Sequence, residues 1–304
     1  MTPPPGLPPA GGDSDRGEEP RAPRAAWGDG LRLAIGTLTL LPAGMPSRVD
    51  RVVGGRAMVL APIVGVLLGG IAAGVVAVVQ VVRPEADLLA AVLAVLVVVG
   101  LSGALHLDGL ADFADALGSR RDREAMLRIM KQSDIGPFGV VAIVGILLVD
   151  VAALTSCIRA GFGWQAALIA TTASRLTLPW SCRTTIPAAR PDGLGAIVAA
   201  TVRPLTAALS TIVVLAAALL LAWLSAPLTP PTGAPLTVDQ ILDRGSPDVL
   251  LLAGTTAAVL LAVATSLIST RRARTALGGT TGDVLGATVE LALPITLLTL
   301  ALTS

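Results

Sequence analysis

An all-α bundle that crosses a membrane several times is the fold class this sequence predicts, and three observations carry the prediction. Of the 304 residues 53% are apolar and only 14% charged, with a mean hydropathy of +0.78; a soluble domain usually has about a quarter of its residues charged. The apolar residues are gathered into runs long enough to span a bilayer as helix, which takes about 20 residues. The basic residues, finally, alternate between crowded and sparse segments from one run to the next.

Residues 1–27 are rich in Pro, Gly, Arg and acids without apolar periodicity and read as a disordered tail. The tail lacks the apolar core and cleavage site of a signal peptide. The remainder, 28–304, reads as a single membrane-embedded catalytic domain. Its first apolar stretch, 31–44, is too short to span and contains Pro42, which predicts an interfacial or re-entrant piece. Seven spans are then expected, at about 57–82, 88–105, 137–158, 164–182, 205–225, 249–269 and 284–303. Gly, Ala, Ser and Thr recur within them and let helices approach closely in lipid.

Charge predicts the orientation. Segments 1–56, 106–136, 183–204 and 270–283 hold eighteen Lys or Arg, whereas 83–87, 159–163 and 226–248 hold one each, Arg83, Arg159 and Arg244. The first set is therefore expected on the cytoplasmic side, with the C-terminus outside. The formal charge of +1 gives no support for a nucleic-acid partner, and Cys157 and Cys182 are too few for a disulfide framework.

The segment from His106 to Asp115 is the most informative. Asp108, Asp112 and Asp115 are spaced i, i+4, i+7 and share one face of a helix. Three stacked carboxylates repel one another unless a cation lies between them, and a hard divalent ion such as Mg²⁺, bridging to phosphate, answers that need. The plain alternative is a solvated acidic face. His106 is the sole histidine and, as a neutral imidazole beside the first Asp, could act as general base; its ordinary role would be structural. Arg128, Lys131 and Ser133 follow, two cations and a hydroxyl suited to a polyanionic phosphate, although part of this basic run simply reflects topology. Far away, Gly278, Gly279 and Gly282 with Asp283 form a glycine-rich turn entering the last span. Such a turn can make an anion nest at a helix N-terminus, and Asp283 can add a metal ligand, but the ending of a P-loop is missing. Within the spans, Asp150, Arg175 and Glu290 are costly and should be paired or line a cavity. Arg175 is placed to reach a site at the cytoplasmic edge. These residues together read as a membrane enzyme with a metal-dependent, phosphate-handling site at the bilayer edge.

At these residues the chain resembles the cobalamin synthase family, the adenosylcobinamide-GDP ribazoletransferases. The resemblance is carried by GALHLDGLADFADALG at 103–118, RDREAMLRIMKQSDIGPFG at 121–139, ARPDGLG at 189–195 and GGTTGDVLGATVEL at 278–291. Phe113 and Leu117 depart from the family's habit, which often has Thr and Gly near these places. The resemblance implies a multi-pass protein of a prokaryotic inner membrane that joins adenosylcobinamide-GDP to α-ribazole or its phosphate and releases GMP. Mg²⁺ is the implied cofactor, with Asp108, Asp112, Asp115 and Asp283 as its ligands. Arg128, Lys131 and Arg175 would face phosphate, and His106 or a carboxylate would take the proton. A lipid phosphotransferase of the CDP-alcohol type is the alternative within the same chemistry, but its usual acidic pattern is not met. An ion-coupled transporter is the alternative from another class, and it should gather its charges near the midplane rather than on one face.

Overall fold

A computed structural model describes residues 23–225 and 249–304. Most of the expected tail and the whole expected outward segment 226–248 therefore lie outside the described residues.

The described chain is helical throughout, without a β-strand, in the order α1 (Pro23–Leu38), α2 (Arg51–Val82), α3 (Asp87–Leu101), α4 (Leu105–Gly118), α5 (Arg123–Ile129) and α6 (Pro137–Arg159). There follow α7 (Gly163–Arg175), α8 (Thr177–Ser181), α9 (Gly193–Val198), α10 (Pro204–Leu224), α11 (Val249–Leu277) and α12 (Gly282–Ala301). Five of these, α2, α6, α10, α11 and α12, are long and apolar enough to cross a membrane. Two of the seven expected spans take another form. The run at 88–105 ends as a 15-residue helix, α3, and turns through 86° into α4. The run at 164–182 breaks after Arg175 into α7, of 13 residues, and the single turn α8. Every residue of α7 from Gln165 to Arg175 except Leu168 is buried by protein, so its Gln, Thr and Ser side chains never meet lipid. We read α4 as lying at the membrane edge, outside the five spans.

The bundle is built around α12, whose apolar stretch is 72% buried against 22–44% in the other four spanning helices. Small residues let its neighbours close in. Helix α2 meets α7 at Gly65 and Gly69, one turn apart; a methyl group at Gly65 would stand 2.7 Å from the Thr171 carbonyl oxygen, and one at Gly69 3.0 Å from the Leu168 Cα. Helix α4 meets α12 in the same way. A methyl group at Gly109 would lie 2.7 Å from the Asp283 carbonyl oxygen, and one at Gly286 3.1 Å from the His106 Cα. In lipid, where apolar burial gives little drive for helix association, such backbone-to-backbone packing is the main adhesive.

The α3–α4 corner is made by Gly103 and Ala104, both left-handed (φ 61° and 55°). An alanine there costs roughly 1–2 kcal/mol of backbone strain, and the corner is clasped by the Leu40 amide, which donates to the Leu101 carbonyl oxygen at 2.7 Å. Helix α1 packs Leu33, Ala34 and Leu38 against Val53, Ala57, Met58 and Ala61 of α2. The expected interfacial piece at 31–44 is thus helical only up to Leu38.

The α2–α7 contact gives a direct test. Replacing Gly65 by Val puts branched carbon where backbone now stands, and overpacking of this kind costs about 1–3 kcal/mol. The variant in detergent is expected to melt well below the native protein, whereas Gly70→Val, at a position with open space around it, should melt normally.

Candidate functional site

Where α4 crosses α12, a cavity of about 370 Å³ opens beside the α12 N-terminus. Its wall is drawn from four places: Leu105 and Asp108 of α4, Lys131 after α5, the 190–195 loop and α9, and Thr280 to Gly286 at the entry to α12. Asp108 is exposed at this wall and Asp283 half-buried. The glycine contact at Gly109 is the reason these two motifs, remote in sequence, share one site.

Two ion pairs lie across the cavity. Arg190 Nη2 donates to Asp283 Oδ2 at 2.8 Å, and Lys131 Nζ to Asp192 Oδ2 at 3.3 Å. The Lys131 hydrogen bond and charge hold the Asp192 carboxyl below its ordinary value. Asp112 sits one turn behind Asp108, half-buried. Burial first, then the charges of Asp108, Asp283 and Asp115, push its carboxyl from 3.8 up to about 7.

The entry to α12 is fixed by its own cap and by its neighbours. Thr281 Oγ1 accepts from the Val284 amide at 3.2 Å, as an N-cap residue does. The Thr280 amide donates to the Pro187 carbonyl oxygen at 2.9 Å, and the Ala189 amide to the Thr280 carbonyl oxygen at 2.8 Å, so the 187–189 segment is laced to the turn. Arg123 ties both to α5: Nε donates to the Leu277 carbonyl oxygen at 2.7 Å and Nη2 to that of Ala189 at 2.8 Å. Its side chain closes off the helix α11 terminus, where four carbonyls lack partners within the helix.

Several expectations are corrected by this geometry. Asp115 is turned away from the cavity and caps α6: its Oδ2 accepts from the Gly136 amide at 2.7 Å and its Oδ1 from the Gly139 amide at 3.0 Å. The α6 N-cap is a glycine with no side chain of its own, followed by Pro137, so the cap is supplied from α4. Arg128 lines a separate depression with Gly118, Ser119 and Phe138, and Ser133 is exposed outside the cavity. Gly278 and Gly279 serve chain packing rather than the cavity wall. Gly278 is left-handed (φ 81°), and a methyl group at Gly279 would stand 2.3 Å from the Pro187 carbonyl oxygen. Only Gly282 of the three glycines faces the cavity. His106 and Arg175 are 2% and 0% exposed, below the cavity rather than in its wall. Arg190, as the cation of the 190–195 loop, and Asp192, Thr280 and Thr281 lie within stretches the sequence singles out but have no assigned role in the expected site; all four line the cavity. Arg190 and Asp192 carry a signal in the sequence, since the ARPDGLG loop is one of the stretches that bear the family resemblance.

Among the described residues no three His, Cys, Asp or Glu side chains stand together closely enough to enclose a metal ion. That corrects a four-carboxylate cage. Asp108 and Asp283 on one cavity, with Asp112 crowded behind them, do fit the habit of Mg²⁺, which is held by one or two carboxylates and completes its shell with water and substrate phosphate.

The model of the cobalamin-5-phosphate synthase family matches residues 30–301. The chain belongs to that family. It is 39% identical to the adenosylcobinamide-GDP ribazoletransferase of Frankia casuarinae over 90% of this chain and 94% of that one. It is 38% identical to the protein of the same name from a Nocardioides strain and 35% to that of Pseudomonas aeruginosa UCBPP-PA14, each over 90% of this chain and 97% of the relative. No solved structure matches the chain. In this synthase family member the two departures noted at α4 have a packing reading: Phe113 is buried with Met126, Met130 and Leu277, and Leu117 packs at the edge of the same cluster.

Two measurements separate the three α4 carboxylates. Loss of the α6 cap in Asp115→Ala should cost about 0.5–2 kcal/mol of stability, seen as a lower melting temperature in detergent, while Asp108→Asn melts as the native protein does. Asp112 has a folded pKa above its unfolded one, so its ionised form opposes folding. That penalty is absent below about pH 4, grows as the pH rises to 7 and is constant beyond. Asp112→Asn is therefore expected to raise the melting temperature at pH 8 and much less at pH 4.5; equal gains at both would show that Asp112 does not titrate in this window.

Proposed function

We propose that this synthase family member transfers an activated corrinoid phosphate to a nucleoside: adenosylcobinamide-GDP and α-ribazole, or α-ribazole phosphate, give the cobalamin nucleotide loop and GMP. The single observation that carries the reading is the convergence of Asp108, Asp283, Arg190 and Lys131 on one cavity beside a helix N-terminus, within a chain whose relatives bear the ribazoletransferase name over nearly their full length.

The reaction is a displacement at phosphorus. A ribose hydroxyl of the ribazole forms a new P–O bond to the corrinoid-linked phosphorus, the diphosphate bridge breaks, and GMP carries away the bridging oxygen. Little covalent work falls to the protein, so catalysis is positioning and charge neutralisation. Arg190 and Lys131 neutralise the diphosphate, leaving Asp283 and Asp192 when it enters. The α12 N-terminus adds the positive end of its dipole. The hydroxyl proton passes to the carboxylate cluster, in which Asp112 is held near neutrality, the range suited to a general base. Mg²⁺, when bound by Asp108 and Asp283 with the diphosphate, would supply the remaining positive charge.

The site face is the cytoplasmic one in this reading, because eighteen of the basic residues fall in the segments on that side. A cysteine placed at Ser119 should resist a membrane-impermeant thiol reagent added to whole cells and react in inverted vesicles. The opposite pattern would reverse the topology.

Membranes bearing the protein, given adenosylcobinamide-GDP, α-ribazole and Mg²⁺, are expected to release GMP in step with corrinoid product. Asp108→Asn, Asp283→Asn and Arg190→Gln should each lose activity by orders of magnitude while remaining folded. Arg128→Gln should retain most of it. Release of CMP from a CDP-alcohol, without any turnover of the corrinoid, would instead favour the lipid phosphotransferase.

A further inference from the structure

Beneath the cavity, four ionisable side chains from four helices are enclosed in the bundle: His106 of α4, Asp150 of α6, Arg175 of α7 and Glu290 of α12, exposed 2%, 1%, 0% and 4%. None of them lines the cavity, and the displacement chemistry leaves them without a task. They interact as one set. Asp150 senses the charges of Glu290 and Arg175, Arg175 those of Glu290 and Asp150, and His106 that of Arg175. Yet contact between them is incomplete. His106 Nδ1 stands 4.0 Å from Glu290 Oε1, too far for a hydrogen bond. Among the described residues, both imidazole nitrogens, both Asp150 oxygens, and Arg175 Nε and Nη2 find no partner, and of the guanidinium only Nη1 is bonded there, to Ser174 Oγ at 3.0 Å.

Six buried polar atoms without partners are not tolerated in a membrane interior unless water completes them. The count of charge adds a second constraint. Arg175 is permanently cationic. With both carboxyls ionised and the imidazole neutral, the set would carry one uncompensated negative charge. We infer that His106, Asp150, Arg175 and Glu290 form a second polar centre, bridged by internal water, in which the imidazole stays neutral and one proton on the Asp150–Glu290 carboxyl pair balances Arg175, and that it fixes the first turn of α4 beneath the reaction site. The placement supports the positioning role. His106 is two residues before Asp108, its Cα is at the Gly286 contact, and Glu290 lies one turn further along α12. The centre therefore pins the same α4 turn from below that Gly109 pins from the side. Arg175, Asp150 and Glu290 are positioning residues in this scheme and touch no substrate.

The positioning half rests on the metal reading given above; the charge half does not. The experiment uses the full-length protein in detergent and compares Asp150→Asn, Glu290→Gln, Arg175→Gln and the double variant Arg175→Gln/Glu290→Gln by melting temperature and by the Mg²⁺ dependence of GMP release. A neutral centre with one proton loses little when one carboxyl becomes an amide, since Arg175 then faces one carboxylate. Both single amide variants should stay folded, Arg175→Gln should melt far lower, and the double variant should recover part of that loss. The electroneutral centre is overturned if Arg175→Gln is no worse than the amide variants, or if the double variant melts no higher than Arg175→Gln alone. For positioning, Glu290→Gln should need at least tenfold more Mg²⁺ for half-maximal GMP release, with kcat at saturation reduced less. A native Mg²⁺ response in that folded variant makes the centre a structural element only. If the native protein itself shows no Mg²⁺ dependence, the metal reading fails while the melting comparison still decides the charge centre.

Discussion

The direct backbone contact between α4 and α12 is the constraint on which the rest of the structure depends. Gly109 and Gly286 bring the two helices together at distances that a methyl group would violate. That approach places Asp108 and Asp112 beside Asp283 and creates the cavity at the α12 entry. It also dictates the corner before α4. To lie across α12, the chain must leave α3 at 86°, which requires two consecutive left-handed residues, one of them an alanine. Strain of this size persists only where surrounding contacts over-determine it, and the Leu40 clasp and the α4–α12 contact do so from opposite sides.

Charge in the protein is arranged in two tiers. The upper one is open to solvent: Lys131 with Asp192 and Arg190 with Asp283 are partly exposed pairs, and pairs of this kind are held weakly enough to exchange partners. The lower one is fully enclosed by protein, and its members cannot be separated without leaving a charge unpaired in the bundle. The two tiers are joined by two residues of α4, His106 below and Asp108 above. In the proposed reaction this division lets the surface tier rearrange around a charged substrate while the buried tier keeps the helices in place.

The loops around the site follow the same logic on a smaller scale. Arg123 reaches from α5 to two carbonyl oxygens on different segments, and Asp115 reaches from α4 to two amides of α6. Each spends a charged side chain on orphan backbone groups at helix ends, where water is scarce and an unpaired group is costly. Both could be read from sequence as phosphate- or metal-handling groups, and Asp115 was.

The sequence by itself determined the fold class of the protein and the family to which it belongs. Apolar runs need only composition to be recognised, and the periodicity i, i+4 puts Asp108 and Asp112 on one face in any helix. The family resemblance at 103–118, 189–195 and 278–291 was legible for the same local reason. Tertiary structure alone decided which of these residues meet. The runs at 88–105 and 164–182 look like spans because hydropathy does not register a corner or protein on every side of a helix. Asp115 shares a face with Asp108, yet seven residues carry it 10 Å further along the helix at about 1.5 Å per residue, to where α6 begins and needs a cap. Arg175 and His106 are polar residues that spacing cannot place in depth; only the packing of α4, α6, α7 and α12 puts them below the cavity rather than in it. What a residue can do is written in its side chain, but what it faces is set by helices that approach through glycine, and those approaches are long-range.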